Sequence, residues 1–304
     1  AHVASGGQSG PAGPEGEIPT LNIWSMADQV TGGSDIPGAT NMVQEDADHY
    51  QILTNAPTFD ALFSFFTDSV EIEHMEPATE DTIMVSGKAL TFGENQAITG
   101  GTVEVFALNA ATGERLNATP DATYTVDEKG FWGPFEADAG TYYEFRTKST
   151  DPDDPAVHYY REPFIRSNPL VYLRTMPPPG SLAGILLGSL PRDDGQSVLA
   201  VFSSNQAVID TRDELIVDGL EISTAEFTSE DQTAIAFFLY DDDDDQNTSG
   251  DGIGLFGIAP FMNGVDMYFQ TANPSSIELE FNGRTMFVRN WKSDTDGFVV
   301  PVFD

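Results

Sequence analysis

The chain has 304 residues, with 49 acidic residues against 13 basic ones and a formal net charge of -36. Proteins that bind nucleic acid neutralise phosphates with Lys and Arg, so this charge argues strongly against nucleic acid as a partner, and it also disfavours anionic membranes. Hydrophobic residues make up 40% of the chain, and there is no cysteine. We therefore expect acidic side chains coating folded domains, without disulfides or zinc–thiolate sites.

The first patterned stretch, residues 18–66, predicts a strand, an acidic turn, a second strand, a His loop and a helix. Residues 18–26 are apolar and β-branched, and Asp28 follows them directly. A second short apolar segment, residues 39–43, runs into the loop that carries His49. Because groups at the carboxyl ends of strands converge in open α/β sheets, we expect Asp28 and His49 at the same edge.

A helix is predicted after the His loop. Thr54 and Asn55 are candidate caps, and Pro57 suits the first turn. Four apolar positions recur at helical spacing: Phe59, Leu62, Phe63 and Phe66.

The order of Asp28 and His49 suits the second and third members of a Ser, Asp, His triad. No G-x-S-x-G nucleophile motif occurs in the 304 residues, and the nearest segment, GQSGP at residues 7–11, lacks the second glycine. Alternative roles stay open for both residues. Asp28 is alternatively a cap or turn residue, with Asp35 as the rival acid, and His49 is alternatively a solvated loop residue. The remaining histidines are interpreted as structural: His2, His74 and His158.

From residue 18 onward the chain resembles the archaeal and bacterial lipase group typified by the Archaeoglobus fulgidus lipase, in which an α/β-hydrolase domain precedes a C-terminal β domain. The resemblance rests on these segments: PTLNIWSMAD (19–28), DHY (48–50), HYYREPFIRSN (158–168), MPPPGS (176–181) and FNGR (281–284). It implies Asp28 and His49 as triad residues, with a nucleophile that would precede residue 1. The chain is then expected to be truncated inside its catalytic domain, inactive alone, and derived from an extracellular enzyme. Residues 1–4 would end a strand, and residues 5–16 would form a loop.

From residue 82 the apolar period changes to two, so we expect a mostly β fold after an α/β-hydrolase remnant. The predicted division is 1–68 for the remnant, 69–81 for a linker, 82–150 for a small β-sandwich and 151–304 for a larger lipid-binding-like β-barrel or β-sandwich domain. DEKG (127–130), the aromatic pair Phe131 and Trp132, and AGTYY (139–143) are similar to transthyretin-like or carboxypeptidase-regulatory-like modules.

Two further segments have alternative interpretations. Residues 181–190 predict an apolar helix, either a plug packed on the β domain or a flap over an acyl-binding crevice. The acidic run from Asp241 to Asp245 is followed by Asn247 and Ser249. Asp245, Asn247 and Ser249 alternate like the first ligands of an EF-hand calcium loop, but its twelfth position, which needs a bidentate Glu, is Phe256. A solvated loop explains the run as well.

The favoured function is a serine-dependent carboxylic ester hydrolase acting on acylglycerols, with His49 as the general base and Asp28 orienting it. The alternative is a non-catalytic β-rich binding or surface protein. Neither function requires a cofactor, and no metal site and no membrane span are predicted. The acid-rich, Lys-poor composition also predicts a protein adapted to high salt.

Overall fold

The computed structural model describes residues 18–28, 30–67, 72, 78–229, 233–258, 261–272 and 275–304. The predictions for residues 1–16, His2 and His74 lie outside these ranges. The predicted mostly β class is confirmed, with 38% strand and 10% helix. The chain divides into two compact units: Ala1–Glu76 with Ser204–Ala207, and Pro77–Ser203 with Val208–Asp304.

The first unit has the predicted order of elements. Its elements are β1 (Leu21–Ser25), β2 (Thr40–Gln44), the one-turn helix α1 (Gln51–Thr54) and α2 (Ala56–Thr67). β1 and β2 are parallel, with Leu21 opposite Thr40 and Ser25 opposite Gln44. Parallel pairing places the ends that lead to Asp28 and His49 at the same edge.

Helix α2 is confirmed, and only part of its apolar set packs on the core of the first unit. Leu62 packs against the cluster of Leu21 and Ile23, as do Ala61 and Phe65. Phe59 and Phe66 are 56% and 67% exposed. Apolar residues occur on more than one side of this helix, so spacing alone does not select the buried face. Asn55 is the cap, because its Oδ1 accepts a hydrogen bond from the Thr58 backbone N–H at 3.0 Å.

Where the structure describes it, the second unit consists of β-strands with two short α-helices. The strands are β3 (Ile83–Thr91), β4 (Thr102–Ala107), β5 (Ala122–Thr125), β6 (Phe131–Ala137), β7 (Tyr143–Lys148), β8 (Val157–Arg161), β9 (Asn168–Thr175), β10 (Leu199–Ser203), β11 (Leu215–Val217), β12 (Leu220–Glu221), β13 (Ala236–Tyr240), β14 (Met262–Asp266), β15 (Ser276–Phe281), β16 (Arg284–Arg289) and β17 (Phe298–Phe303). The helices are α3 (Leu182–Leu187) and α4 (Ala225–Thr228), and a 3-10 turn covers Phe256–Ile258.

The described part of this unit forms three sheets. The central sheet has eight strands in the order β14-β13-β10-β17-β8-β7-β4-β5, and the others are β12-β11-β15-β16 and β6-β3-β9. Successive residues of the central strands enter two different cores: Leu199 and Val201 of β10 join one, while Ala200 packs in the other. A sheet buried on both faces needs continuous apolar strands, and β13 and β17 are buried at every position. Over the described residues the sheets stay open, without a closed barrel.

One sheet runs through the predicted boundary near residue 150. β7 and β8 pair in antiparallel register, with Thr147 opposite Val157. The acidic turn between them therefore connects neighbours in one sheet. The predicted division into 1–68, 69–81, 82–150 and 151–304 stays a prediction.

Candidate active site

Asp28 lies in the turn that follows β1. Its Oδ1 accepts hydrogen bonds from the backbone N–H groups of Val30 and Thr31, each at 3.0 Å. The Thr31 hydroxyl lies 3.2 Å from Oδ2. A carboxylate that accepts backbone N–H groups two and three residues ahead forms a compact turn, so both oxygens have fixed directions.

His49 lies in the loop after β2 and faces this carboxylate. Its Nδ1 is 3.1 Å from Asp28 Oδ1 and 3.0 Å from Oδ2. The Thr31 hydroxyl is also near, at 3.3 Å from the same nitrogen. The Asp28 side chain is 6% exposed, whereas that of His49 is 30% exposed. The structure thus combines a covered acid with an imidazole that solvent or a reactant reaches.

The electrostatics of the turn keep Asp28 ionised. Partial burial raises the pKa of its carboxyl, but the Thr31 N–H and His49 hydrogen bonds outweigh burial, and the net pKa lies below the ordinary value. An ionised carboxylate only accepts, so the His49 Nδ1 atom carries the proton between them. The second ring nitrogen, Nε2, is then the basic one in the neutral imidazole.

Gln44 fixes the end of β2 relative to α2. The Gln44 side-chain nitrogen Nε2 donates to the Thr58 hydroxyl at 2.6 Å. The Gln44 side-chain oxygen Oε1 accepts from the Asn55 side-chain amide at 2.5 Å. These buried polar groups are mutually satisfied, and such networks define a single arrangement. The strand that leads into the His49 loop is therefore fastened to the helix that follows it.

The rival acid Asp35 has another partner. Its Oδ1 accepts a hydrogen bond from the Trp24 indole at 3.0 Å, in an exposed position. Asp28 is thus the acid that the structure brings to His49, while the catalytic role of either acid stays a prediction.

A second His–carboxylate pair is fully buried in the other unit. His158 Nδ1 lies 2.6 Å from Glu144 Oε1, and its Nε2 donates to the Asp296 carbonyl at 2.8 Å. The ring stacks on Trp291 with centroids 4.5 Å apart. Both ring nitrogens face acceptors and the side chain is 1% exposed, so no substrate proton reaches it. This agrees with the structural role expected for His158.

The acidic run brings together a different set of residues from the calcium-loop pattern at Asn247 and Ser249. Asp241, Asp243 and Asp266 each place a carboxylate oxygen within 4.8 Å of the others. The two buried members already accept backbone N–H groups, Asp241 from Gln246 and Asp266 from Asp242. These bonds account for their burial by ordinary loop geometry.

An apolar cavity of about 50 Å³ lies in the second unit beside α3. Its lining comes mainly from apolar side chains: Phe92, Val157, Tyr159, Arg174, Thr175, Met176, Leu187, Leu190, Ala200, Phe202, Phe238, Phe298 and Val300. Leu187 and Leu190 are buried, whereas Ile185 is 67% exposed. A cavity of this size has room for only about two or three waters. An acyl chain therefore does not fit unless α3 moves.

Two family models match parts of the chain after residue 80. Residues 81–178 match the family model of the Lipase C-terminal domain. Residues 189–304 match a second family model, which is that of a C-terminal domain. No curated protein matches the chain. The chain therefore contains a lipase-related C-terminal domain. Among the described residues, no helix has the length and apolar character needed to cross a membrane.

Proposed function

We propose that this chain belongs to a carboxylic ester hydrolase of the lipase type, in which His49 is the general base and Asp28 orients it. The observation that carries the proposal is the contact between His49 Nδ1 and both Asp28 carboxylate oxygens at the carboxyl ends of two parallel strands. The lipase-related match at residues 81–178 supports the same class independently.

The proposed chemistry follows from what each group can do. His49 Nε2 takes the proton of a serine hydroxyl as that oxygen attacks the ester carbonyl, and returns it to the leaving alcohol. Asp28, ionised, holds the Nδ1–H tautomer and stabilises the imidazolium that forms. The 304 residues contain no G-x-S-x-G motif. The proposed mechanism therefore needs a serine nucleophile that is not part of such a motif in this chain. The resemblance to the Archaeoglobus fulgidus lipase group belongs to this proposal, as does the α/β-hydrolase character of the first unit.

The proposed substrates are acylglycerols, and the proposed location is extracellular. Support for a long acyl chain comes from the apolar cavity next to α3 and from the largely apolar residues that line it. Entry of an acyl chain requires displacement of α3, which is short and is capped at its C-terminus by Gly188. The strongly acidic surface supports an enzyme that works at high salt.

The test uses the protein as its gene encodes it, with and without His49→Ala, assayed on a short-chain soluble ester. We expect His49→Ala to lower kcat by several orders of magnitude, because an intact base contributes on that scale to serine-dependent hydrolysis. Asp46→Asn changes an exposed acid of the same loop and serves as the matched control, with activity within about threefold of wild type. A folded wild-type protein that hydrolyses no ester would instead favour the non-catalytic binding or surface protein.

A further inference from the structure

The residue before His49 is a buried acid whose bonds fix the His49 loop. Asp48 is 1% exposed. Its Oδ1 accepts from the backbone N–H groups of Tyr50 at 2.8 Å and Gln51 at 3.0 Å. A buried carboxylate is stable only when its oxygens are hydrogen-bonded, and these bonds tie the main chain directly after His49 into the start of α1.

A segment distant in sequence also bonds to Asp48. Ser204–Ala207, called here the anchor segment, clusters with the first unit, although the chain on both sides of it belongs to the second. The buried N–H of Ala207 donates to Asp48 Oδ2 at 3.2 Å. Asp48 thus joins the His49 loop to residues that follow β10.

The anchor segment also contacts both ends of α1. The Thr54 hydroxyl donates to the Asn205 carbonyl at 2.7 Å, and the Gln51 amide lies 3.4 Å from the Gln206 side-chain oxygen. Together with the Ala207 bond, these contacts hold the helix that begins two residues after His49. These bonds reach the main chain beside His49 and the start of α1, so we expect their effect on the chemistry to act through the backbone.

We propose that Asp48 and the anchor segment position the His49 imidazole for catalysis. This inference rests on the proposed role of His49 as the base. A displacement of about 1 Å in a catalytic group costs up to about 10²-fold in rate, and Asp48 fixes the backbone that carries this group. Residues beyond position 200 therefore determine turnover even on soluble esters that need no lipid-binding region. Asp48 is a positioning residue, since it acts through His49.

The experiment measures kcat and KM of the gene product on a short soluble ester, with active sites counted by titration. We expect Asp48→Ala to lower kcat per active site by about 30- to 100-fold with KM nearly unchanged. Asp48→Asn keeps an oxygen for Tyr50 and Gln51 and should recover most of the loss. Thr54→Val removes one hydroxyl from the anchor contact and should lower kcat by about three- to tenfold. Asp46→Asn, an exposed acid in the same loop, should behave as wild type.

A double-mutant cycle separates positioning from a general loss of structure. If Asp48 acts through the Asp28–His49 pair, adding Asp48→Ala to Asp28→Asn should lower kcat by less than about threefold further, because the pair is already impaired. A full, multiplicative loss would overturn the inference, as would an Asp48→Ala enzyme with wild-type kcat per active site. If Asp48→Ala does not fold, the test rests on Asp48→Asn and Thr54→Val. A wild-type kcat in both of these variants overturns the positioning role.

The two proposals fail in different ways. Hydrolysis that is indifferent to His49→Ala removes the proposed function. Hydrolysis that needs His49 but is indifferent to Asp48→Ala and Thr54→Val removes only the positioning role.

Discussion

His49 Nδ1 lies within 3.1 Å of both carboxylate oxygens of Asp28, and the same carboxylate accepts the Thr31 backbone N–H. The acid therefore has two separable tasks, which are to close its own turn and to hold the imidazole. Asp28→Asn separates them. The Asn oxygen still accepts from Thr31, but an amide facing Nδ1 no longer fixes the Nδ1–H tautomer. We expect a loss of about 10⁴-fold in kcat, with a small fall in the melting temperature because the ionised carboxylate also stabilises the fold.

Asp35→Asn is the matched control for that substitution, because Asp35 is an exposed acid bonded to Trp24 in the same unit. Its kcat should stay within about threefold of wild type. Equal losses from both substitutions would contradict the assignment of Asp28 as the partner acid.

The buried pair of Glu144 and Arg115 predicts how the second unit responds to acid. Burial raises the pKa of Glu144, but hydrogen bonds from Arg115 and His158 outweigh it and lower the pKa to about 2. A depressed folded-state pKa gives stability that is complete above the ordinary value near 4.5 and is lost as pH falls towards 2. Glu144→Gln should lower the free energy of unfolding at pH 7 by about 3–5 kcal/mol, because it leaves the Arg115 guanidinium without its buried counter-charge.

Urea unfolding at pH 7 and at successively lower pH checks this prediction. The difference between wild type and Glu144→Gln should shrink as the pH falls below 4.5. Glu104→Gln removes a less buried pair with Arg146, at 2.6 Å, and should cost about 1 kcal/mol or less. A similar cost for both variants, or a difference that does not depend on pH, would contradict the account of Glu144.

The net charge of -36 predicts that salt stabilises the fold. Like charges repel most in the compact state, and the screening length falls to about 3 Å at about 1 M salt. The melting temperature should therefore rise from dilute to molar potassium chloride. Scanning calorimetry over that range, with sucrose at equal osmolality as the uncharged control, provides the measurement. A flat or falling curve in salt would remove the proposed adaptation to high salt.

Helix α3 offers a matched pair of substitutions that tests its packing. Leu187 is buried and lines the cavity, whereas Ile185 on the same helix is 67% exposed. Leu187→Ala should lower the free energy of unfolding by about 2–5 kcal/mol, since it enlarges a cavity. Ile185→Ala should stay within about 0.5 kcal/mol of wild type. Equal effects in urea unfolding would show that α3 is not packed as described.

The same variant distinguishes the plug from the flap. If α3 is a plug, Leu187→Ala lowers hydrolysis of long-chain and short-chain esters together. If α3 is a flap over an acyl-binding crevice, the ratio of long-chain to short-chain hydrolysis changes.

Local patterns predicted the elements of the first unit and the proximity of Asp28 and His49, because strand ends and caps are encoded within a few residues. Two other features depend on contacts that no local pattern contains. β3 runs through Gly87 to Thr91, and β9 approaches it so closely there that a Cβ at Gly87 would meet the Val171 backbone. Likewise, the bond from Ala207 to Asp48 joins segments far apart in sequence.

The most direct test of the central claim is the rate at which a fluorophosphonate probe labels the gene product, with the labelled serine located by peptide mapping. A serine activated by His49 reacts with this probe, whereas an ordinary serine does not. We expect one labelled serine, with labelling slowed at least about 10³-fold by His49→Ala and unchanged by Asp46→Asn. Labelling at the same rate in the His49→Ala protein would contradict the assignment of His49 as the base.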